Sequence, residues 1–170
     1  MSEDGFAFFG PSDGHFVPEG GFCISVFAVL RKGDSVLLVK ARENERWKEW
    51  APNWGVYEPT RRSADVGKWR FPSSYVKQGE APETALRRVV EDQLGLTSYS
   101  SGPFKLLNFY EPSRRYPGKM HWDYCFVFEV SAEGTPRPQP WLAEVEYIDL
   151  KSKPVLGSAQ DAIFEALQSG

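Results

Sequence analysis

One segment of the chain, residues 82–95, combines the start and stop signals of a helix with an apolar stripe between them. Pro82 fits the first helical position, where its missing N–H removes no hydrogen bond, and Gly95 fits the position just past the end. Three aliphatic side chains recur between them at helical spacing: Leu86, Val90 and Leu94. The segment therefore predicts an amphipathic helix packed against another layer of structure.

Apolar runs on both sides of this helix predict strands. Residues 22–30 and 35–40, joined by the turn-rich sequence RKGD, predict a hairpin, and later strands are predicted at 104–112, 124–130 and 145–150. The order β-β-β-α-β-β-β-α predicts an α/β (α+β) fold with a mixed sheet and helices packed against it.

A second helix is predicted at the end of the chain. Ser158, with Asp161 three residues later, resembles a capping box that starts a helix. The apolar stripe of this helix is predicted to be Ala162, Ile163, Ala166 and Leu167.

Composition limits the class of protein. At 170 residues, 41% hydrophobic and 25% charged, the chain fits one compact domain, and its net charge of −3 gives no general attraction to nucleic acid or anionic membranes. Cys23 and Cys125 lie in apolar runs without CxxC spacing, which predicts reduced thiols. No secretory signal or membrane-length apolar run is present, so a cytoplasmic protein is expected.

The run from residue 70 to 96 resembles the Nudix box, whose pattern is G, five residues, E, seven residues, then REUxEExGU with U aliphatic. Placing Gly95 and Leu96 on the closing GU puts Glu80 on the isolated E, Arg88 on the R and Val90 on the U. The likeness extends over residues 20–170. It implies a Nudix-type α/β/α sandwich, with the box helix on one side of the sheet and the last helix on the other.

This resemblance also gives the domain organisation. We expect an N-terminal arm at residues 1–20, a single Nudix-like domain at 21–170, and a Trp-rich insertion at about 41–68. The insertion is polar and broken by Pro and Gly, which is typical of a long functional loop.

The departures from the box pattern fall on its chemistry. Ser74 replaces the opening glycine, and the three glutamate positions hold Val89, Asp92 and Gln93. The resemblance implies that family glutamates here bind Mg²⁺ or Mn²⁺ on a nucleoside diphosphate substrate, helped by a backbone carbonyl of the glycine loop. A hard cation needs carboxylate oxygens, which valine lacks and glutamine replaces by a weaker neutral carbonyl.

The remaining acids near the box have two interpretations each. Glu80 and Asp92 are the candidate catalytic and metal-binding residues, with Gln93 as a third, weaker metal ligand. Alternatively, Glu80 supports the helix N-terminus, and Asp92 forms an i,i+4 ion pair with Arg88. On an α-helix of about 100° per residue, Val89 extends the core stripe and Glu91 points to the far side.

Two basic aromatic segments are candidates for ligand binding. Aromatic faces can stack on a base, and guanidinium groups can bind phosphate oxygens. The candidates in and after the insertion are Trp47, Trp50, Trp54, Arg61, Arg62 and Arg70, and those in the later tip are Arg114, Arg115 and Lys119. The alternatives are a packed lid and a solvated basic turn. His121, in the same tip, has no Cys or His at ligand spacing, so the sequence predicts no zinc site.

Three functions remain open. The first is a Nudix-fold protein that binds a nucleotide or other phosphate-containing ligand, with hydrolysis lost or much reduced. The second is an atypical pyrophosphohydrolase in which Glu80, Asp92 and Glu144 or Glu146 assemble an altered metal site. The third is an RNA-binding or protein-interaction adaptor. The family resemblance also makes a homodimer possible, and no membrane partner is expected.

Overall fold

The computed structural model describes residues 18–42, 66–113, 117–137, 139–140, 142–157 and 160–168. In chain order these form β1 (Phe22–Lys32), β2 (Ser35–Ala41), β3 (Trp69–Arg70), β4 (Ser73–Tyr75), α1 (Pro82–Arg87), a π-helical segment (Arg88–Gln93), β5 (Tyr99–Pro112), β6 (Met120–Ala132), β7 (Leu142–Asp149), a 3-10 turn (Leu150–Ser152) and α2 (Asp161–Gln168). The predicted mixed α and β composition is confirmed.

Strand β1 is the centre of the sheet. It pairs in parallel with β6 and antiparallel with β2 and β4. Strand β2 also pairs antiparallel with β3 and β7, and β5 pairs antiparallel with β6. The parallel β1–β6 pair is what makes the sheet mixed, as the sequence predicts.

Alternation along β1 divides the core between the two faces of the sheet. Val26 and Ala28 pack in one buried cluster with Leu86 of α1. Phe27 and Val29 pack in a second buried cluster with residues of α2. The two helices therefore cover opposite faces, and the α/β/α sandwich implied by the family resemblance is confirmed.

The box helix, which we define as α1 plus the π-helical segment, begins and ends as predicted. Pro82 occupies its first turn, and Gly95 follows its end with a left-handed φ of +67°. Its winding differs from the prediction, because only Pro82–Arg87 is α-helical and Arg88–Gln93 is π-helical. The i,i+4 alignment assumed for an α-helix therefore does not hold across the residues that carry the box pattern.

Helix α2 buries Ile163 and Phe164 against the sheet, and Leu167 packs at the margin of the same cluster. Phe164 was not in the predicted stripe, which named Ala162 and Ala166 instead. Ser158 lies outside the described residues.

Across the described ranges, no helix is both long enough and apolar enough to span a membrane.

Candidate functional site

The candidate site lies where the loop before the box helix meets the start of β1. Strand β4 pairs antiparallel with residues 25–27 of β1, which fixes the loop at residues 73–80, here called the box loop, against the first half of that strand. A cleft of about 460 Å³ opens between the two, lined by residues 22–24 of β1 and residues 75–80 of the loop. Any ligand in this cleft would contact the box loop directly.

Arg88 connects the box helix to the box loop through four hydrogen bonds. Its Nε and Nη2 atoms each donate to one oxygen of the Glu80 carboxylate at 2.7 Å. The same guanidinium donates to Ser74 Oγ and to the Tyr75 carbonyl oxygen, both at 2.9 Å. A bidentate pair of this kind is among the stronger hydrogen-bonded interactions in proteins. Arg88 therefore ties the helix to both ends of the loop.

Both oxygens of Glu80 are used inside the protein. Besides the two bonds from Arg88, its carboxylate accepts the backbone N–H of Lys77 at 2.8 Å. The hydrogen bonds from Arg88 hold the pKa of Glu80 below its usual 4.5, although partial burial acts in the opposite direction. Glu80 is therefore a structural anion in this geometry, with its charge already compensated.

Gln93 makes a second link between the helix and the loop. Its side chain is buried, and its Nε2 donates to the backbone carbonyl oxygen of Ser73 at 2.8 Å. The Gln93 Oε1 atom is buried and has no hydrogen-bond partner among the described residues. The Ser73 carbonyl oxygen therefore accepts a hydrogen bond from the Gln93 amide, in a place where it could otherwise bind a cation.

The other two glutamate positions are no better suited to a hard cation. Val89 is fully buried in the core cluster, as predicted, and Asp92 is exposed to solvent. Within the described residues, no group of three or more His, Cys, Asp or Glu ligands converges at the box loop and helix. The residues present do not fit the metal cluster that the family resemblance implies.

Beside the cleft lies a row of aromatic side chains on the face of the sheet that the box helix covers. The rings of Tyr110 and Trp122 have centroids 6.0 Å apart, and those of Trp122 and Tyr124 are 5.9 Å apart. In the β1–β6 register Phe22 stands beside Trp122 and Ile24 beside Tyr124. We call Tyr110, Trp122 and Tyr124 the aromatic strip; it continues directly into the cleft through Phe22 and Ile24.

The comparisons with known proteins agree with this fold. The family model of the NUDIX domain matches residues 21–162, which is most of the chain. The chain belongs to the Nudix family. A comparison with curated proteins found no match.

Solved structures similar to this Nudix domain share its fold at low sequence identity. A MutT protein from Methanosarcina mazei Go1 has a TM-score of 0.61 and 19% identity over 87% of this chain and 94% of that one. A MutT NUDIX hydrolase from Burkholderia pseudomallei has a TM-score of 0.58 and 18% identity over 85% and 96%. The NUDIX domain of Shewanella oneidensis NrtR, solved with ADP ribose, has a TM-score of 0.57 and 14% identity over 88% of each chain.

The structure describes two of the remaining sequence-predicted ligand residues, Arg70 and Lys119. Arg70 lies in β3 opposite Val39 of β2, and Lys119 forms an ion pair with Glu19. The others lie outside the described residues: Trp47, Trp50, Trp54, Arg61, Arg62, Arg114 and Arg115. For these seven the binding role stays a prediction.

Glu144 and Glu146, the two acids of β7 considered for an altered metal site, differ in their contacts. Glu144 accepts from Lys40 Nζ at 3.0 and 3.2 Å, and Lys40 also lies over the Trp69 ring, 4.2 Å from its centroid. Glu146 is exposed on β7. Glu144 is thus held by a cation of the neighbouring strand.

Sequence reasoning did not predict that two groups of residues come together, although it named Trp122 and His121 in the later tip. The aromatic strip was hidden because its members come from β5 and β6, although alternation along β6 places Trp122 and Tyr124 on one face. A polar trio was also missed: His121 Nε2 lies 3.3 Å from Cys23 Sγ and 3.2 Å from Asp123 Oδ1. Spacing along the chain gave His121 no ligand partner, because Cys23 is almost one hundred residues away in sequence.

The Arg88–Glu80 pair gives a pH-dependent prediction. We expect Glu80→Gln to lower the free energy of unfolding by about 1–3 kcal/mol at pH 7, because it leaves the Arg88 charge half-buried without its anion. Since the folded pKa of Glu80 is lowered, this stabilisation is present above the unfolded pKa and is lost as the pH falls through the folded value. The loss caused by the variant should therefore shrink as urea denaturation is repeated from pH 7 toward pH 3.

The matched control is Glu146→Gln, an exposed carboxylate on β7. It should change the free energy of unfolding by no more than about 0.5 kcal/mol. A Glu80→Gln effect that stays constant over the whole pH range would contradict the assigned ion pair.

Proposed function

We propose that this Nudix-fold protein binds a nucleotide or another phosphate-containing ligand and has lost most or all of the metal-dependent hydrolysis typical of its family. The observation that carries the proposal is the hydrogen bond from Gln93 Nε2 to the Ser73 carbonyl oxygen at 2.8 Å. Ser73 belongs to the loop in which the family resemblance places a metal-binding carbonyl. A neutral amide therefore satisfies a carbonyl that would otherwise be available to a cation.

Charge supports the same conclusion. A diphosphate and its transition state are anionic, so efficient hydrolysis needs a bound cation that neutralises charge and acidifies water. Here Val89 offers no ligand, Glu80 is paired with Arg88, and Asp92 is exposed to solvent. The box keeps its architecture while lacking an adjacent pair of carboxylates.

The surface around the cleft supports binding. The aromatic strip offers ring faces for a base, and stacking of one base on an aromatic side chain is worth roughly 1–3 kcal/mol. The exposed Lys77 lines the cleft and can attract phosphate. The solved NUDIX domain of NrtR contains ADP ribose, which supports a nucleotide-type ligand for this chain as well. A cytoplasmic location is also part of the proposal, and it fits the two cysteines, which are present as thiols.

The alternative is an atypical Nudix pyrophosphohydrolase that uses Mg²⁺ or Mn²⁺. One observation favours it: the buried Gln93 Oε1 has no hydrogen-bond partner among the described residues. An amide oxygen can ligate a hard cation, and Asp92 is close along the chain. Turnover of any nucleoside diphosphate derivative within the usual enzyme range of roughly 1–10³ s⁻¹ would establish this alternative and refute the proposal.

The first test restores the carboxylates. The double variant Val89→Glu and Gln93→Glu should bind Mg²⁺ or Mn²⁺ more tightly than the wild type, because it supplies two anionic ligands beside the Ser73 carbonyl. It should also lose stability on the order of several kcal/mol without metal, since residue 89 is 0% exposed and residue 93 is 3% exposed. Calorimetric metal titration and denaturation in chelator measure the two effects.

The control for this test is Val89→Gln with Gln93 retained, which adds the same volume without charge. It should lose stability but gain no metal affinity. If the double variant binds metal no better than the wild type, the helix positions are not the limiting defect, and the account of the lost activity is wrong.

A second test addresses the ligand surface. We expect Trp122→Ala to weaken nucleotide binding by about 1–3 kcal/mol, because it removes the central ring of the aromatic strip. Trp122→Phe should keep most of the affinity, since it retains a ring face. Tyr147→Ala, which removes an exposed aromatic side chain from β7, is the control and should not change binding. Equal affinity of Trp122→Ala and wild type would exclude the aromatic strip from the ligand site.

A further inference from the structure

Three side chains with metal-binding chemistry meet on the face of the sheet opposite the box helix. Cys23 on β1 and Asp123 on β6 are direct neighbours in the parallel register, and His121 precedes Asp123 by two residues on the same face of β6. Alternation along β6 then continues to Cys125 and Val127, which pack in the cluster beneath α2. We call Cys23, His121 and Asp123 the polar trio.

The ligand atoms of the polar trio converge on one point. His121 Nε2 lies 3.3 Å from Cys23 Sγ and 3.2 Å from Asp123 Oδ1, and Cys23 Sγ contacts Asp123 Oδ1. All three atoms lie within 4.8 Å of one another. A zinc ion with Zn–N and Zn–O distances of about 2.0–2.2 Å and Zn–S of about 2.3 Å spans such a group.

The backbone orients the imidazole for this task. His121 Nδ1 lies 2.9 Å from the Gly20 carbonyl oxygen, which can only accept a hydrogen bond, so Nδ1 is the donor in this contact. Nε2 is then the ring nitrogen that faces the thiol and the carboxylate, and it would supply its lone pair to a bound metal. A histidine held through its other nitrogen by a backbone carbonyl is the usual arrangement around a ligated metal.

Gly20 is itself held close to β6. Its N–H donates to the Met120 carbonyl oxygen at 2.7 Å, and a side chain at this position would collide with that carbonyl. The absence of a side chain lets the Gly20 backbone approach the strand and reach the ring of the next residue. The support for His121 is thus built from main-chain contacts.

The chemistry of the polar trio selects the class of metal. Thiolate and imidazole ligands favour zinc and other late transition metals, whereas Mg²⁺ requires oxygen ligands. Asp123 is 6% exposed, and Glu111 stands opposite His121 in the β5–β6 register, so carboxylates border the site. The negative charge of these carboxylates attracts a divalent cation to the site.

We propose that Cys23, His121 and Asp123 bind one divalent transition-metal ion, zinc by preference, at a site separate from the Nudix box. The three side chains supply one sulfur, one nitrogen and one oxygen, which leaves one position of a tetrahedral ion for water or another ligand. The site is independent of the two helix positions that determine metal binding at the box.

Cobalt titration of the full-length, tag-free, metal-free protein tests this proposal. One equivalent of Co²⁺ should produce a thiolate-to-cobalt charge-transfer absorption with the visible bands of a four-coordinate ion, and Zn²⁺ should displace it. Cys23→Ser should abolish the charge-transfer band. His121→Gln and Asp123→Asn should weaken affinity by more than the roughly 10- to 100-fold cost of disturbing an outer partner of a metal ligand.

The matched control is Cys125→Ser, which removes the other thiol on the same face and leaves the polar trio complete. It should keep the cobalt spectrum. Absence of a thiolate-to-cobalt band in the wild type, or an unchanged band in Cys23→Ser, would overturn the proposal.

A second measurement needs no variant. In the native wild type, Zn²⁺ but not Mg²⁺ should protect Cys23 from alkylation by iodoacetamide, as read by mass spectrometry of the digested protein. Alkylation of Cys23 at the same rate with and without Zn²⁺ would overturn the proposal even if every variant failed to fold. Metal binding at the Nudix box would leave this rate unchanged, so the two sites are distinguishable.

Discussion

The parallel pairing of β1 with β6 is the constraint on which the rest of this structure depends. It runs from Phe22 beside Trp122 to Leu30 beside Val130, through the centre of the sheet. A shift of one residue would turn every side chain of β1 to the opposite face, and both buried clusters would be lost. The same register fixes the aromatic strip beside the cleft and places Cys23 next to Asp123. One strand pair therefore supports the fold, the proposed ligand surface and the proposed metal site.

Side chains of the box helix satisfy the charged and polar groups of the box loop. Arg88 compensates the charge of Glu80, Gln93 satisfies the Ser73 carbonyl, and Val89 joins the core. Each of these contacts lowers the need for a cation, since no pair of neighbouring carboxylates has to be neutralised. These contacts within the protein stabilise the loop without a cation, in agreement with the proposed metal-free ligand binding.

Local signals in the sequence predicted most of the fold. Pro82 and Gly95 marked the helix ends, and the apolar positions identified the hairpin and the burial of Val89. The spacing of the box predicted the family, which the domain match confirms. These features are encoded by neighbours along the chain, so a single sequence suffices to read them.

Contacts between distant segments could not be predicted in the same way. An α-helical period paired Arg88 with Asp92, but the helix is π-wound there and Arg88 binds Glu80 in the loop. The burial of Phe164 was missed because it involves a contact with Phe71, which is far away in sequence. The centroids of the two rings are 6.4 Å apart. The polar trio depends on the β1–β6 register, which pattern alone does not specify.

The central claim is that ligand binding in this protein requires no cation at the box. The most direct measurement is thermal unfolding of the wild type with nucleotides, nucleotide sugars and dinucleoside polyphosphates, each in excess Mg²⁺ and in excess chelator. A ligand that binds the native state raises the unfolding temperature, and at a given concentration a tighter ligand raises it more. The stabilising ligand should act equally in both conditions. Stabilisation that appears only with Mg²⁺ would contradict the proposed metal-free binding.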